Sequence, residues 1–322
     1  MSPEHAAGSL STLAVVLQKP EELVIRRLDL SAPGERDLIV EMEWSGISTG
    51  TERLLWSGRM PTFPGLGYPL VPGYESVGRV VHVGSHGTRH VGERVFVPGA
   101  RCYGDVRGLF GGAAAKVVVP ESRVTPIDEQ LGEQGVLLAL AATAYHAIAA
   151  ERSAYPDLIV GHGVLGRLLA RLSVILADHP PVVWERNPNR TAGGEGYEVV
   201  DPQTDTRRDY RAIYDVSGDG ALLDTLISRL APGGEVVLAG FYGESLAFAF
   251  PAAFMREARL RVAAEWRDAD LQAVKALVES GKLSLDGLIT HRQAASQAPS
   301  AYRTAFTDPS CLKMILDWRE LA

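Results

Sequence analysis

The run Gly161-His162-Gly163-Val164-Leu165-Gly166 constrains this chain more than any other feature. It fits G-x-G-x-x-G, a pattern that carries little alone and much in context. Here it follows an apolar strand candidate, Asp157-Leu158-Ile159-Val160, and opens an amphipathic stretch over 164–177. A strand that turns sharply into a helix leaves the first helical N–H groups unpaired and the positive dipole end exposed, which suits a pyrophosphate. Gly161 permits the turn, Gly163 admits the phosphates to the backbone, and Gly166 lets the helix pack close on the sheet. Val164 and Leu165 complete the loop, and His162 flanks the phosphates. In such sites an acidic residue about 20 positions on ends the next strand. Glu185 closes Val182-Val183-Trp184-Glu185, nineteen residues after Gly166. A carboxylate there accepts hydrogen bonds from the adenosine ribose and repels a 2′-phosphate, which points to NAD as cofactor. Arg186 and Arg190 follow and blur that preference, because an arginine can hold a 2′-phosphate.

The flanking sequence changes character twice. Residues 13–130 read as β-rich, with short Val- and Ile-rich runs (13–17, 23–30, 38–44, 76–83, 93–97 and 114–119) punctuated by Gly and Pro, as expected of a twisted or partly closed antiparallel assembly. Within them only 49–57 has a helical look. From Gln130 to Ser153 the chain is Ala- and Leu-rich with a helical period. Strand candidates 157–161, 182–185, 212–218 and 234–241 then alternate with helix candidates 164–177 and 221–230. Alternation predicts an α/β fold with a doubly wound parallel sheet, the Rossmann arrangement. That layout places Ser217 beside the adenosine half of a dinucleotide, and Gly240 and Phe241 beside the nicotinamide. The polar loop 187–196 is expected to replace a crossover helix. Further helix candidates cover 268–281 and 296–307, and a last strand covers 311–318.

Length and composition set the outer limits. A chain of 322 residues predicts about two domains at roughly 150 residues each. The expected division is 1–130 for the β-rich part, 131–265 for the dinucleotide domain, and 266–322 for a return to the first. A net charge of −7 argues against nucleic acid as a partner. The two cysteines, Cys102 and Cys311, make neither a disulfide framework nor a Cys-rich zinc site, and agree with a cytoplasmic location. No apolar run approaches the ~20 residues of a transmembrane segment, and the first residues lack the pattern of a signal peptide. Peripheral contact with a membrane stays open.

Gly46-Ile47-Ser48, Pro72-Gly73-Tyr74-Glu75, Ala142-Thr143-Ala144-Tyr145 and the glycine fingerprint stand in the order found in medium-chain dehydrogenases/reductases, which the chain resembles over nearly its whole length. The resemblance implies a GroES-like fold for the β-rich part and a homodimer, with the apolar run 246–254 as the pairing edge. It also exposes departures. Zinc-dependent members carry Cys at the position of Ser48, His at the position of Tyr74, and a third Cys near Ala139. Only Cys102 lies where a structural zinc lobe would need four cysteines. The expectation is no metal. The run from Trp44 to Glu75 is similar to the zinc-free branch that acts on bacteriochlorophyllides, which implies a tetrapyrrole substrate whose 3-(1-hydroxyethyl) group is oxidised to acetyl. Other zinc-free members imply an alternative, NADPH-dependent reduction of quinones or enones. A non-catalytic dinucleotide-binding protein is the third reading.

Oxidising an alcohol without zinc needs a proton relay and a donor to the developing alkoxide. Tyr74 and Ser48 stand at the former ligand positions. Thr49 and Thr51 either relay the proton or cap the short helix. Glu75 orients Tyr74 or makes a structural ion pair. Thr143 either touches the cofactor or bonds back to its own helix. His146, three residues on, serves as a base or is a satisfied structural histidine. Trp56, Phe63 and Tyr68 could wall a macrocycle, or pack as a Pro-stiffened loop on their own domain. Arg53, Arg59, Arg101 and Arg107 are candidates for its propionate.

Overall fold

Strand Asp37–Ile47 buries every second side chain along most of its length, the period that a half-buried strand requires. In the computed structural model, which describes residues 10–149 and 154–321, it is the hub of a seven-stranded sheet. Ser76–Val83 and Lys116–Pro120 pair with it antiparallel. Its last residues pair with the C-terminal strand Met314–Asp317, Ile47 opposite Met314 and Trp44 opposite Asp317. The end of the chain thus completes the first sheet. A smaller sheet of Ser11–Lys19, Glu22–Asp29, Leu70–Val71 and Arg107–Gly108 packs against it. Helix α1, Thr51–Trp56, follows the hub strand directly.

The middle of the chain forms a six-stranded, all-parallel sheet. Its order is Glu198–Val200, Val182–Trp184, Leu158–Val160, Tyr210–Asp215, Leu230–Leu238, Arg259–Val262. Winding runs outward in one direction from Leu158–Val160 and then in the other from Tyr210–Asp215. The crevice between those two strand ends is where such sheets bind ligands. Helices α2, Leu138–Ala149, and α3, Val164–Leu176, pack on each other over one face. Helices α4, Leu223–Arg229, and α5, Phe250–Met255, lie on the other side. Helix α6, Asp268–Glu279, packs on α2 with Leu271 and Val274 in the same core, so the chain rejoins the first sheet only at strand His291–Ala294. Helix α7, Ala298–Thr307, then packs against the first domain.

Several expected elements differ in extent. The stretch 130–153 is a 3₁₀ segment, Glu129–Leu137, followed by α2; Gly132 breaks it with a left-handed φ of 49°. Residues 150–153 of that expected helix, and the N-terminal residues 1–9, lie outside the described residues. The run 246–254 is not a strand. Pro251 opens α5 in its first turn, where a missing N–H costs nothing, and the outer edge of the sheet is Arg259–Val262. Between Val182–Trp184 and Glu198–Val200 the crossover holds only the 3₁₀ turn Pro188–Arg190. No helix among the described residues is long and apolar enough to cross a membrane.

Candidate active site

A cleft of about 1700 Å³ separates the two domains, with the strand-end crevice as one wall. On that wall Gly161 adopts φ +105°, and a Cβ at Gly166 would lie 1.9 Å from the Gly161 carbonyl. Both positions therefore require glycine. A Cβ at Gly163 would meet nothing within 4 Å, so the N-terminus of α3 opens onto free space. That cradle fits a pyrophosphate. Val164 and Leu165 line it, as do Ser217, Gly240 and the half-exposed Phe241.

Glu185 lines the same wall, just past strand Val182–Trp184. Its carboxylate accepts from the amides of His162 (3.1 Å) and Asn187 (2.7 Å). The two nearby arginines behave differently. Arg186 is exposed, with its guanidinium 4.0 Å from Asp219. Arg190 is committed to the carbonyls of Pro309 (3.0 Å) and Cys311 (3.1 Å). His162 faces inward. Its Nδ1 lies 2.6 Å from the Arg190 carbonyl, which can only accept, so Nδ1 carries the proton and Nε2 accepts from Tyr197 at 2.9 Å. Burial lowers its pKa to about 4, which keeps the ring neutral. Buried Arg167 adds bonds to the carbonyls of His162, Arg190 and Ala192. These polar ties hold the crossover loop where a helix would otherwise pack.

Across the cleft, the Ser48 hydroxyl and the Tyr74 phenol are 2.9 Å apart. Thr51 gives its backbone N–H to Ser48 Oγ at 3.3 Å. Gly50 rather than Thr49 is the cap residue of α1, and no threonine side chain caps that helix. Thr49 stands exposed on the cleft wall. Phe110 meets Tyr74 edge-on at 5.3 Å, and Trp266 lies 6.3 Å away on the opposite domain. Burial, then the Glu75 carboxylate, push the Tyr74 phenol well above its ordinary range. It is therefore a neutral donor, not a phenolate base.

Under this pair lies a set of buried charges. Glu75 is fully buried, and Lys313 donates to its Oε2 at 2.6 Å and to the Ile47 carbonyl at 3.2 Å. Among the described residues Glu75 Oε1 has no hydrogen-bond partner. Glu52, also fully buried, accepts from Tyr302 at 2.6 Å. Zinc takes three or four ligands drawn from thiolate, imidazole and carboxylate. Here the former ligand positions hold two neutral hydroxyls, and the adjacent carboxylate is occupied by an ammonium. Among the described residues no three His, Cys, Asp or Glu gather into a metal-binding group. The donor set does not fit zinc.

Other candidates lie elsewhere. Trp56, Phe63 and Tyr68 do not line the cleft. They pack with Leu17, Leu55 and Leu70 inside the first domain, and Tyr68 donates to the Leu55 carbonyl. Trp56 touches the cleft only indirectly, through Phe306, 5.6 Å away. Arg59 bonds Ser57 at the surface. Of the four arginines considered for a propionate, only Arg53 lines the cleft. His146 bonds Asp270 at 2.8 Å, outside the cleft. Thr143 lines the cleft, and its hydroxyl donates back to the Ala139 carbonyl at 2.9 Å. Sequence reasoning missed Glu52, Tyr302, Lys313, Phe110 and Trp266. The only signal was an isolated lysine in the apolar run Cys311–Trp318.

Residues 34–129 match the family model described as "Alcohol dehydrogenase GroES-like domain". The chain is 57% identical, over 97% of its length and 99% of the relative's, to a "2-desacetyl-2-hydroxyethyl bacteriochlorophyllide A dehydrogenase" of Rhodobacter capsulatus. It is 56% identical to the protein of the same name from Cereibacter sphaeroides, over 97% of this chain and 100% of that one. Among solved structures it superposes on 2R,3R-butanediol dehydrogenase from Bacillus subtilis with a TM-score of 0.81 at 21% identity, covering 95% of this chain and 99% of that one. The chain belongs to the medium-chain dehydrogenase/reductase family, in the group of the 2-desacetyl-2-hydroxyethyl bacteriochlorophyllide A dehydrogenases.

Proposed function

We propose that this protein oxidises the hydroxyethyl group of a bacteriochlorophyllide to acetyl, with NAD as hydride acceptor and no zinc. The observation that carries this reading is the 57% identity over nearly the full chain, joined to a hydroxyl pair where the family's zinc ligands stand. A bound nicotinamide dinucleotide supplies the electrophilic carbon that takes the hydride. The residues do the rest. Tyr74 donates to the substrate oxygen as negative charge develops on it. The substrate's hydroxyl proton is taken by the Ser48 oxygen as Ser48 gives up its own, and the shift runs by way of Thr51 and exposed Thr49 to bulk water, the final acceptor. Glu185 favours an unphosphorylated ribose, and Arg190, tied to two carbonyls, is not free to hold a 2′-phosphate. A single small-ligand site is typically about 300–1,000 Å³; a cleft of about 1700 Å³ has room for a macrocycle beside a dinucleotide. Phe110 and Trp266 offer it flat apolar faces, and Arg53 offers its propionate a charge-assisted bond.

The test is absorbance of a hydroxyethyl bacteriochlorophyllide incubated with the protein and NAD, with NADP in parallel. The expected result is a red-shifted acetyl product and stoichiometric NADH with NAD alone. Equal rates with NADP would reject the Glu185 reading. No shift with either cofactor, with NADH still bound, would reject the pigment.

We also propose a homodimer. Among the described residues no strand pairs with the outer side of Arg259–Val262, and Phe250, Phe254, Met255 and Val262 expose apolar surface beside it. An open strand edge next to an apolar patch is a pairing surface. Sedimentation should give the mass of two chains, and that of one chain for Phe254→Glu. A single-chain mass for the unaltered protein, with binding to lipid vesicles through the same patch, would make this surface a peripheral membrane contact instead.

A further inference from the structure

Glu52 lies in the first turn of α1 and no part of it reaches solvent. The chemistry proposed above leaves it unused. Its Oε1 accepts from the Ser48 amide at 3.4 Å, and its Oε2 from the Tyr302 hydroxyl of α7 at 2.6 Å. Neither partner is a cation. The ammonium in reach, Lys313, is already bonded to Glu75 at 2.6 Å. Groups from four segments therefore face one another beneath the Ser48–Tyr74 pair. Glu52 comes from α1, Tyr74 and Glu75 follow strand Leu70–Val71, Tyr302 comes from α7, and Lys313 precedes the last strand.

The charges do not balance if every acid ionises. Burial and the nearby carboxylates hold both phenols far above their ordinary range, so both stay neutral. Two carboxylates against one ammonium would leave one uncompensated negative charge in a buried site, which is costly. Glu75 holds the ammonium, so Glu52 is the group that keeps a proton. Burial pushes its carboxyl up to about 8 and the Glu75 charge adds to this, against the bonds from Tyr302 and Ser48, which pull it down.

We propose that Glu52 is a positioning residue for the Ser48–Tyr74 hydroxyl pair and that it works in its neutral form. It pins the Ser48 turn to α7 without placing negative charge beneath the oxygen on which an alkoxide develops. The proposal rests on the reaction assigned above to that pair. Ionisation of Glu52 opposes the alkoxide, so oxidation slows as pH rises through about 8.

Glu52→Gln, a neutral isostere, tests it in the full-length protein. Its kcat should stay within about tenfold of the unaltered enzyme at pH 7, with KM for the pigment unchanged and the alkaline fall in kcat removed. Glu52→Ala, which leaves the Tyr302 hydroxyl and the Ser48 amide unpaired, should lose more than about tenfold in kcat. A readout independent of turnover is the thermal midpoint against pH. A folded-state carboxyl held at about 8, against 4.5 unfolded, contributes stability that is complete below 4.5 and is lost as pH rises to about 8. The unaltered protein should therefore lose more midpoint between pH 5 and pH 8.5 than Glu52→Gln does. Two results would overturn the proposal. One is an alkaline fall unchanged in Glu52→Gln. The other is a folded Glu52→Gln that is inactive at pH 7 and rescued by Glu52→Asp, which would mean that the ionised form is needed. Absence of pigment turnover in both proteins, with the midpoint difference intact, would reject the reaction and the positioning role but not the neutral carboxyl.

Discussion

Tyr74→Phe lowers kcat about 100- to 1,000-fold, the usual cost of removing one preorganised donor from a developing oxyanion. The expectation follows from the 2.9 Å contact with Ser48 and from a phenol that burial keeps protonated. The ring's contacts with Phe110 and Trp266 survive the change, so the fold and the KM for pigment should hold. NADH affinity should also hold, because the glycine cradle proposed to hold it belongs to the other domain. Steady-state rates with fluorescence titration of NADH check all three. Activity within threefold of the unaltered enzyme would remove Tyr74 from the chemistry and leave it as pocket lining.

The second large effect is on stability. Lys313→Met leaves Glu75 buried without its cation, and breaking a buried pair in this way costs about 3–5 kcal/mol. Adding Glu75→Gln should recover much of the loss, because the pair acts as a unit. Denaturant unfolding of the two single variants and the double variant measures this. A loss below about 1 kcal/mol, the scale of an exposed pair, would show that water reaches the site.

What the sequence revealed follows from how local each feature is. The glycine loop, its strand, its helix and Glu185 lie within about 30 residues, and each glycine answers a local backbone demand, so the whole unit was legible. Ser48 and Tyr74 meet across 26 residues, and only the resemblance to a family with ligands at those positions brought them together. Lys313 reaches Glu75 from 238 residues away, and Tyr302 reaches Glu52 from 250. No periodicity encodes such pairs. A lysine inside an apolar strand reads as its polar face until the hub sheet covers it. Aromatic content left Trp56, Phe63 and Tyr68 open between the cleft and their own domain, and they pack on the latter; composition says that a ring will be buried and not against which surface. The run 246–254 failed for a related reason. Short apolar stretches do not separate helix from strand, and Pro251 was the local signal that favoured the helix.

The most direct measurement concerns the hydroxyl pair itself. Pure protein is dialysed against a strong chelator, its metal content is fixed by elemental analysis, and pigment oxidation with NAD is followed before and after. A neutral Ser48–Tyr74 pair and a Glu75 carboxylate occupied by Lys313 predict turnover unchanged at less than one zinc per ten chains. Loss of turnover on chelation, restored by one equivalent of zinc, would contradict that assignment.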